Sequence, residues 1–306
     1  MSVLSRRLRK RLRQIDGAPA QPARPVERAA SEPVRVGEPG LSRERLIARV
    51  GGSPQPAPRE PQSISGPLEE LAPGEIVECD CGRFWLVAGP AGEMLPHGAA
   101  ILDGFKRLLE RAPATGRLGQ LQGLRPKEVA LLDTETAGLS AAPIFLVGMI
   151  VWQGDEVEEA LCVQMFARDY AEERAVLARA AELLAPRRAL MTYNGRSFDL
   201  PLMRERMIYH GLGACPEPRI HLDLLHVVRS LFRGVWDNCR LQTLEQRLCG
   251  RSRWDDIDGA RIPQAWHDFI ASEDAAQMAD VLDHNRLDLI TMLEALPHLQ
   301  AASDVT

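Results

Sequence analysis

The sequence lacks any apolar run that approaches the roughly 20 residues of a membrane-spanning helix. Its basic N-terminus has neither the apolar core nor the small-residue cleavage site of a secretory signal, which favours a cytoplasmic location. Cysteine is scarce, and the 6 cysteines are scattered through 306 residues. This spacing does not resemble a disulfide framework and predicts reduced thiols.

An excess of positive charge is also missing, because 42 acidic residues outnumber 37 lysines and arginines and give a formal net charge of −5. This balance argues against a wholly basic nucleic-acid binder. It does not exclude a nuclease whose acidic centre is neutralised by bound metal.

Composition divides the chain into four regions. Residues 1–15 place Leu4, Leu8, Leu12 and Ile15 at helical spacing between six basic residues, which predicts a basic amphipathic helix. Such a helix would contact nucleic acid, anionic lipid or a partner protein, or it would be a solvated arm, and its lack of acidic residues also resembles an organelle transit peptide.

The next two regions precede the main domain. Residues 16–66 are rich in Pro, Ala, Gly, Ser and Arg, which is typical of a disordered linker. Residues 67–125 contain two strand-like runs joined by a turn at Asp80–Arg83, followed by a helical pattern, and predict a small accessory region with β structure.

The main domain, residues 126–300, alternates strand-like and helical patterns. Three early strands in an antiparallel meander, followed by β-α units, predict a mixed five-stranded sheet flanked by helices, an α/β fold. The predicted strands are Val129–Leu132, Ile144–Trp152, Val157–Phe166, Ala189–Tyr193 and Arg219–Leu222. The predicted helices are Glu172–Leu184, Leu200–His210, Leu224–Phe232, Leu241–Leu248, Ala265–Ile270 and a last helix from the N-cap Ser272 to about Leu296.

The first acidic motif, Asp133-Thr134-Glu135, follows a short buried strand. Residues i and i+2 of a strand point to the same face, so the two carboxylates converge. Two like charges that close repel each other unless a cation lies between them, and oxygen ligands favour Mg²⁺ or Mn²⁺. The alternative is a solvated strand end.

Two further acidic motifs follow. Asn194-x-x-x-Phe198-Asp199 comes after a predicted strand, where Asp199 is either a metal ligand or a helix N-cap. His284-x-x-x-Asp288 lies in the last helix, where residues four apart share a face. Asp223 is an additional acidic candidate, for which a supporting or helix-capping role is the stronger interpretation.

Together, in this order, the three motifs resemble those of the DEDD superfamily of 3′–5′ exonucleases, which have a ribonuclease H-like fold. Within it, residues 128–296 resemble the YprB-like proteins and the exonuclease domain of B-family DNA polymerases. The resemblance implies that Asp133, Glu135, Asp199 and Asp288 hold two divalent metal ions. It also implies that four residues contact the nucleic-acid substrate: Gly138, Leu139, Asn194 and Phe198.

His284 departs from the family pattern. The tyrosine subclass has a tyrosine with three residues between it and the last aspartate, whereas the histidine subclass has a histidine with four between. This chain has a histidine at the tyrosine spacing. A histidine can serve as a base near neutrality, so we expect His284 to help deprotonate the attacking water.

The sequence therefore predicts a two-metal nuclease, a 3′–5′ exonuclease that acts on single-stranded DNA or RNA. Two other functions stay open. One is a non-catalytic nucleic-acid-binding module with the same fold, and the other is a metal-dependent phosphatase that acts on free nucleotides. The oligomeric state is not predicted.

Overall fold

The computed structural model of the chain describes residues 65–95, 97–111, 116–138, 141–253 and 256–304. The predicted basic helix and all but the last two residues of the predicted linker lie outside these ranges. Seven strands are described, β1 Glu75–Cys79, β2 Gly82–Pro90, β3 Val129–Thr136, β4 Ile144–Trp152, β5 Ala160–Phe166, β6 Ala189–Thr192 and β7 Ile220–Asp223. The helices are α1 Leu68–Leu71, α2 Ala91–Met94, α3 Gly98–Arg111, α4 Glu173–Leu184, α5 Asp199–Tyr209, α6 Leu224–Phe232, α7 Leu241–Leu244, α8 Ile262–Ser272 and α9 Ala276–Ser303.

All seven strands form one mixed sheet in the order β1-β2-β5-β4-β3-β6-β7. β3, β6 and β7 run parallel to one another, and the remaining neighbours are antiparallel. The predicted mixed sheet flanked by helices is confirmed, but the sheet is two strands wider than predicted. The hairpin of the predicted accessory region pairs with the edge of β5, which covers that edge.

Helices cover both faces of the sheet. The side chains of β3 alternate between two buried clusters: Ala130 and Leu132 join one, and Val129 and Leu131 join the other. The second cluster includes the C-terminal half of α9 and the apolar face of α3, where Phe105 stacks on Trp152 at a centroid distance of 4.8 Å. The odd-numbered residues of β3 therefore face the sheet side on which that half of α9 packs.

The last helix begins later than predicted. Ser272 ends α8, where its hydroxyl donates to the Asp268 carbonyl, and Glu273 adopts a left-handed conformation with φ of 60°. Asp274 then accepts the backbone N–H of Ala276 at 3.1 Å and starts α9. The predicted N-cap at Ser272 is wrong because Ser272 is used at the end of the preceding helix.

The predicted linker has an ordered end. Ser65 Oγ and Gly66 N donate to the two carboxylate oxygens of Asp274, at 2.9 and 3.2 Å. All six cysteines are free thiols. None of the helices in the described part of the chain has the length and apolarity that crossing a bilayer requires.

Candidate active site

The first motif lies on β3, which extends through it to Thr136. Asp133 and Glu135 share the odd-numbered face and so point towards α9. On the neighbouring strand, Gly148 is the direct partner of Asp133. A Cβ atom at Gly148 would lie 2.0 Å from Oδ1 of Asn285 and 2.8 Å from Cδ1 of Leu289. Only glycine lets α9 approach the sheet this closely beside Asp133.

The space at Gly148 is filled by the amide of Asn285. Asn285 Nδ2 donates to Oδ2 of Asp133 at 2.9 Å, and its Oδ1 accepts from Nε2 of Gln164 at 3.0 Å. Gln164 is the partner of Gly148 on β5 and also donates to the Leu282 carbonyl at 2.7 Å. Two buried amides thus fix the orientation of Asp133 without supplying any positive charge.

The second motif brings Asp199 beside the end of β3 that carries the first motif. Asp199 is the first residue of α5 and is only 8% exposed. Its Oδ1 accepts from the Thr134 hydroxyl at 2.7 Å, and no side-chain cap of α5 is formed. A Cβ at Gly195 would lie 2.8 Å from Oδ2 of Asp199. The carboxylate therefore points at β3 and is not used as a helix cap.

Asp223 supports the loop of the second motif. Its two oxygens accept the backbone N–H groups of Asn194, at 2.8 Å, and Arg196, at 3.1 Å, and Oδ1 also caps α6 through Leu225 N at 3.1 Å. These bonds stabilise Asn194 in a left-handed conformation with φ of 68°, which asparagine tolerates better than most residues. The helix-capping interpretation of Asp223 is confirmed.

The third motif is embedded in ion pairs. Oδ1 of Asp288 lies 2.6 Å from Nη1 of Arg253, which is also 3.2 Å from Oδ2 of Asp256. Oδ1 of Asp256 accepts from Nδ1 of His284 at 2.8 Å, and Nε2 of His284 lies 3.7 Å from Oδ2 of Asp288. Asp288, Arg253, Asp256 and His284 thus form a closed ring of alternating charge.

The carboxylates of the three motifs influence one another. Burial, with the charges of Asp288, Glu135 and Asp199, raises the pKa of Asp133 well above its ordinary value. Burial and the charges of Asp288 and Asp199 raise the pKa of Glu135 to about 8, against a lowering by His284. Burial raises the pKa of Asp199 to about 6, although the Thr134 hydrogen bond lowers it. Burial and mutual repulsion therefore make the charged forms of these carboxylates unfavourable, and their described surroundings do not offset this cost.

The environment of His284 differs from the sequence expectation. Burial alone would lower the pKa of this imidazole, but the hydrogen bond to Asp256 and the charges of Asp288 and Glu135 raise it to about 9. An unperturbed histidine pKa of about 6.5 does not describe this residue. Asp256 fixes the proton on Nδ1 and leaves Nε2 directed towards Asp288.

The donor set suits a hard divalent cation, since it consists of carboxylate oxygens that repel one another. Among the residues that the structure describes, no three histidine, cysteine, aspartate or glutamate side chains are already arranged to hold a metal ion. Each of three carboxylates has its own partner instead: Asp133 binds Asn285, Asp199 binds Thr134 and Asp288 binds Arg253. Each of these contacts engages one carboxylate oxygen, Oδ2 of Asp133 and Oδ1 of Asp199 and Asp288, and leaves the second oxygen of each side chain for a metal ion.

The loop after the first motif is held at both ends. The Thr136 hydroxyl donates to the Gly138 carbonyl at 2.8 Å, and His267 Nε2 donates to the Ala137 carbonyl at 3.2 Å. Arg206 contacts the Ala141 carbonyl at 3.3 Å. Leu139 lies outside the described residues. Phe198 is 65% exposed beside Asp199, so its ring is available to a ligand.

Sequence reasoning missed five residues of this site. Gly148 and Gln164 were visible as exceptions, because each interrupts an otherwise apolar strand. Asn285 lies inside the third motif, but its function depends on the gap at Gly148. Arg253 and Asp256 lie outside helices and strands, where no periodic pattern marks a buried ion pair.

The comparisons with known proteins concern this same part of the chain. A family model described as RNase_H superfamily matches residues 130–300. The uncharacterised protein YprB of Bacillus subtilis (strain 168) is 28% identical over 183 residues, which cover 58% of this chain and 43% of YprB. The chain thus spans less than half the length of this curated relative.

A solved structure of NrnC from Brucella melitensis with bound Mg²⁺ is 18% identical, with a TM-score of 0.26. The alignment covers 58% of this chain and 84% of that chain. The family match itself contains all four carboxylates of the three motifs together with His284, Asn285, Arg253 and Asp256.

Proposed function

Because the chain belongs to the ribonuclease H superfamily, we propose that it is a divalent-metal-dependent nuclease that removes nucleotides from the 3′ end of single-stranded nucleic acid. Membership of the superfamily supports a nuclease-type hydrolase with nucleic acid as its substrate. The 3′–5′ direction, the single-stranded substrate, the use of two metal ions and a cytoplasmic location are the finer parts of the proposal.

One observation carries this proposal. Asp133, Glu135, Asp199 and Asp288 come from β3, α5 and α9, and the charges of the other three each raise the pKa of Asp133. A folded protein maintains such an uncompensated cluster at a cost in stability, which is repaid when cations bind. We assign these four side chains as the ligands of Mg²⁺ or Mn²⁺. Bound ions would neutralise charge on the phosphodiester and lower the pKa of the attacking water.

The protein residues have separable tasks in this proposal. His284 accepts the proton of the attacking water at Nε2 in its neutral form, which bound cations would favour by offsetting the carboxylate charges that raise its pKa, while Asp256 holds Nδ1–H and stabilises the imidazolium that forms. Phe198 offers an exposed aromatic face on which a base of the substrate stacks. The backbone at Ala137 and Gly138, which His267 and Thr136 contact, lies beside the terminal nucleotide in this proposal.

The test is a cleavage assay with 5′-labelled single-stranded DNA and RNA oligonucleotides, with Mg²⁺ or Mn²⁺ and with chelator. We expect a ladder of products that shortens from the 3′ end and no cleavage of a circular single strand. Asp133→Asn and Asp199→Asn, purified identically, should each lose activity by several orders of magnitude while they stay folded. Both variants cleaving like wild type would refute the site.

The same assay separates the alternatives. Binding of the oligonucleotide without cleavage, in every metal, would indicate a non-catalytic module. Release of phosphate from free nucleotides, with oligonucleotides left intact, would indicate a phosphatase. Cleavage of the circular strand would show an endonuclease and would refute the 3′–5′ direction.

A further inference from the structure

The guanidinium of Arg253 is a fixed positive charge inside the carboxylate cluster. Its Nη1 lies 2.6 Å from Oδ1 of Asp288 and 3.2 Å from Oδ2 of Asp256, and its Nε lies 2.6 Å from Oε2 of Glu245. The Arg253 side chain is only 6% exposed, so water and salt screen these ion pairs weakly. Arg253 therefore neutralises one of the four proposed metal ligands.

The other three proposed ligands form no ion pair with an arginine or lysine among the described residues, although the charge of His284 lowers the pKa of Glu135. Asp133 and Asp199 accept hydrogen bonds from the neutral side chains of Asn285 and Thr134. No arginine or lysine is among the main influences on the pKa of Asp133, Glu135 or Asp199 within the described residues. Asp288 thus differs from the other three, because its charge is already paired before any metal binds.

A divalent ion that takes Asp288 as a ligand has to share this carboxylate with Arg253 or displace the guanidinium. Positive groups a few ångströms apart repel strongly in a poorly hydrated site. We propose that Arg253 is a built-in counter-cation that lowers the divalent-metal affinity of the free site through Asp288. This inference rests on the proposed metal-dependent function.

A consequence follows for the substrate complex. A phosphodiester brings negative charge to the same place, which offsets the repulsion between the guanidinium and the metal. Metal binding and nucleic-acid binding are then coupled, and the coupling is reciprocal. Arg253 keeps metal occupancy low in the free protein and lets it rise when nucleic acid is bound.

The experiment measures Mn²⁺ binding to the full-length protein without substrate, by calorimetry or by the electron paramagnetic resonance signal of free Mn²⁺. Arg253→Gln should bind Mn²⁺ at least about tenfold more tightly than wild type, because a buried positive charge beside Asp288 is removed. The dissociation constant with a non-hydrolysable phosphorothioate oligonucleotide present should differ less between the two proteins.

Arg251 provides a matched control. Its side chain is 11% exposed, its Nε lies 3.0 Å from Oε1 of the same Glu245, and its Nη2 donates to Thr291 at 3.0 Å. Its described ion pairs are to Glu245 and Glu294, not to Asp288. Arg251→Gln should therefore change Mn²⁺ affinity by less than about threefold, because it removes a buried charge away from Asp288.

Arg253→Gln leaves Glu245 with one fewer partner and can lose stability. The double variant Arg253→Gln/Glu245→Gln removes one charge of each sign and still frees Asp288, so it should also bind Mn²⁺ more tightly. Circular dichroism establishes which variant is folded. Unchanged or weaker Mn²⁺ binding in a folded variant of either kind would overturn the inference.

The outcome also separates this inference from the proposed function. Suppose that wild type binds Mn²⁺, that Asp133→Asn does not, and that Arg253→Gln binds it no more tightly than wild type. This result would overturn only the role of Arg253. An absence of Mn²⁺ binding in both wild type and Arg253→Gln would overturn the metal site and this inference together.

Discussion

The two halves of the carboxylate cluster are built from different chemistry. Asp133, on the sheet, is held by neutral amides, since Asn285 donates to it and Gln164 positions Asn285. Asp288, on α9, is held by the positive charge of Arg253. The half around Asp133 therefore has no counter-charge, and burial with the neighbouring carboxylates raises the pKa of Asp133, whereas the charge of Asp288 is already balanced.

This difference indicates how a charged site is kept folded before its ions bind. Burying four carboxylates without any cation would be costly, because each would lack both water and a counter-charge. Balancing all four would leave nothing to attract a metal. The structure places ion pairs around Asp288 on α9. Asp133 on β3 is held by oriented, neutral hydrogen bonds instead.

Gly148→Ala should have the largest effect, because it removes the amide that holds Asp133 in the neutral half of the cluster. The new Cβ would lie 2.0 Å from Oδ1 of Asn285, so the amide has to leave Asp133. We expect nuclease activity to fall by about 10²–10³-fold, the scale on which removal of one oriented hydrogen-bond donor acts in an active site. The turnover rate on a labelled oligonucleotide measures this loss.

Gly259→Ala is the control for that experiment, because no atom of the described residues lies within 4 Å of the position of its Cβ. It should keep wild-type activity and melting temperature. Gly148→Ala with unchanged turnover would mean that Asp133 needs no amide to orient it, and the neutral half of the comparison would then be wrong.

These residues also show where sequence reasoning succeeds and where it ends. The period of two placed Asp133 and Glu135 on one face, and the apolar run, interrupted only by Gly148, predicted the observed bounds of β4, Ile144–Trp152. The pairing of β2 with β5 was not predictable, because a local pattern does not name its distant partner strand. Arg253 was missed for a related reason, since its partners are Glu245 and Asp288, which only the tertiary fold brings together.

Substitutions among the ion pairs around Asp288 and Arg253 should lower the free energy of unfolding more than substitutions around Asp133. Glu245 is 1% exposed and binds both Arg251, at 3.0 Å, and Arg253, at 2.6 Å. Glu245→Gln leaves two buried guanidinium groups short of a counter-charge, so we expect a loss of about 3–5 kcal/mol in the free energy of unfolding. Urea unfolding followed by circular dichroism measures this loss.

Glu182→Gln is the surface control, since Glu182 is 52% exposed and pairs with Arg179. It should cost less than about 1 kcal/mol. Equal losses for Glu182→Gln and Glu245→Gln would show that burial adds nothing to the ion pairs around Arg253.

A substitution among the neutral amides around Asp133 should lower the free energy of unfolding by less. Gln164 is 2% exposed, and Gln164→Leu leaves Oδ1 of Asn285 and the Leu282 carbonyl without their donor. We expect a loss of about 1–3 kcal/mol, the cost of buried polar groups left unsatisfied. Gln264→Leu, at an exposed position of α8, serves as the control and should change stability little. A cost for Gln164→Leu as large as that for Glu245→Gln would remove the energetic difference between the halves.

The smallest effect is expected from removal of residues 1–64. Both halves of the site lie beyond residue 126, and residues 16–64 have the composition of a linker with no helical apolar period. The deletion has to stop before Ser65, because Ser65 and Gly66 hydrogen-bond to Asp274, which starts the helix that carries His284 and Asp288. We expect the remaining protein to keep its melting temperature and its turnover on short oligonucleotides.

A matched deletion of residues 1–66 should lower the melting temperature, because it also removes these bonds. If the shorter deletion alone abolishes activity on short oligonucleotides, the N-terminal region contributes to the site, and the two halves do not make up the whole of it. A selective loss on long substrates that grows with salt would instead identify the basic segment as a nucleic-acid tether.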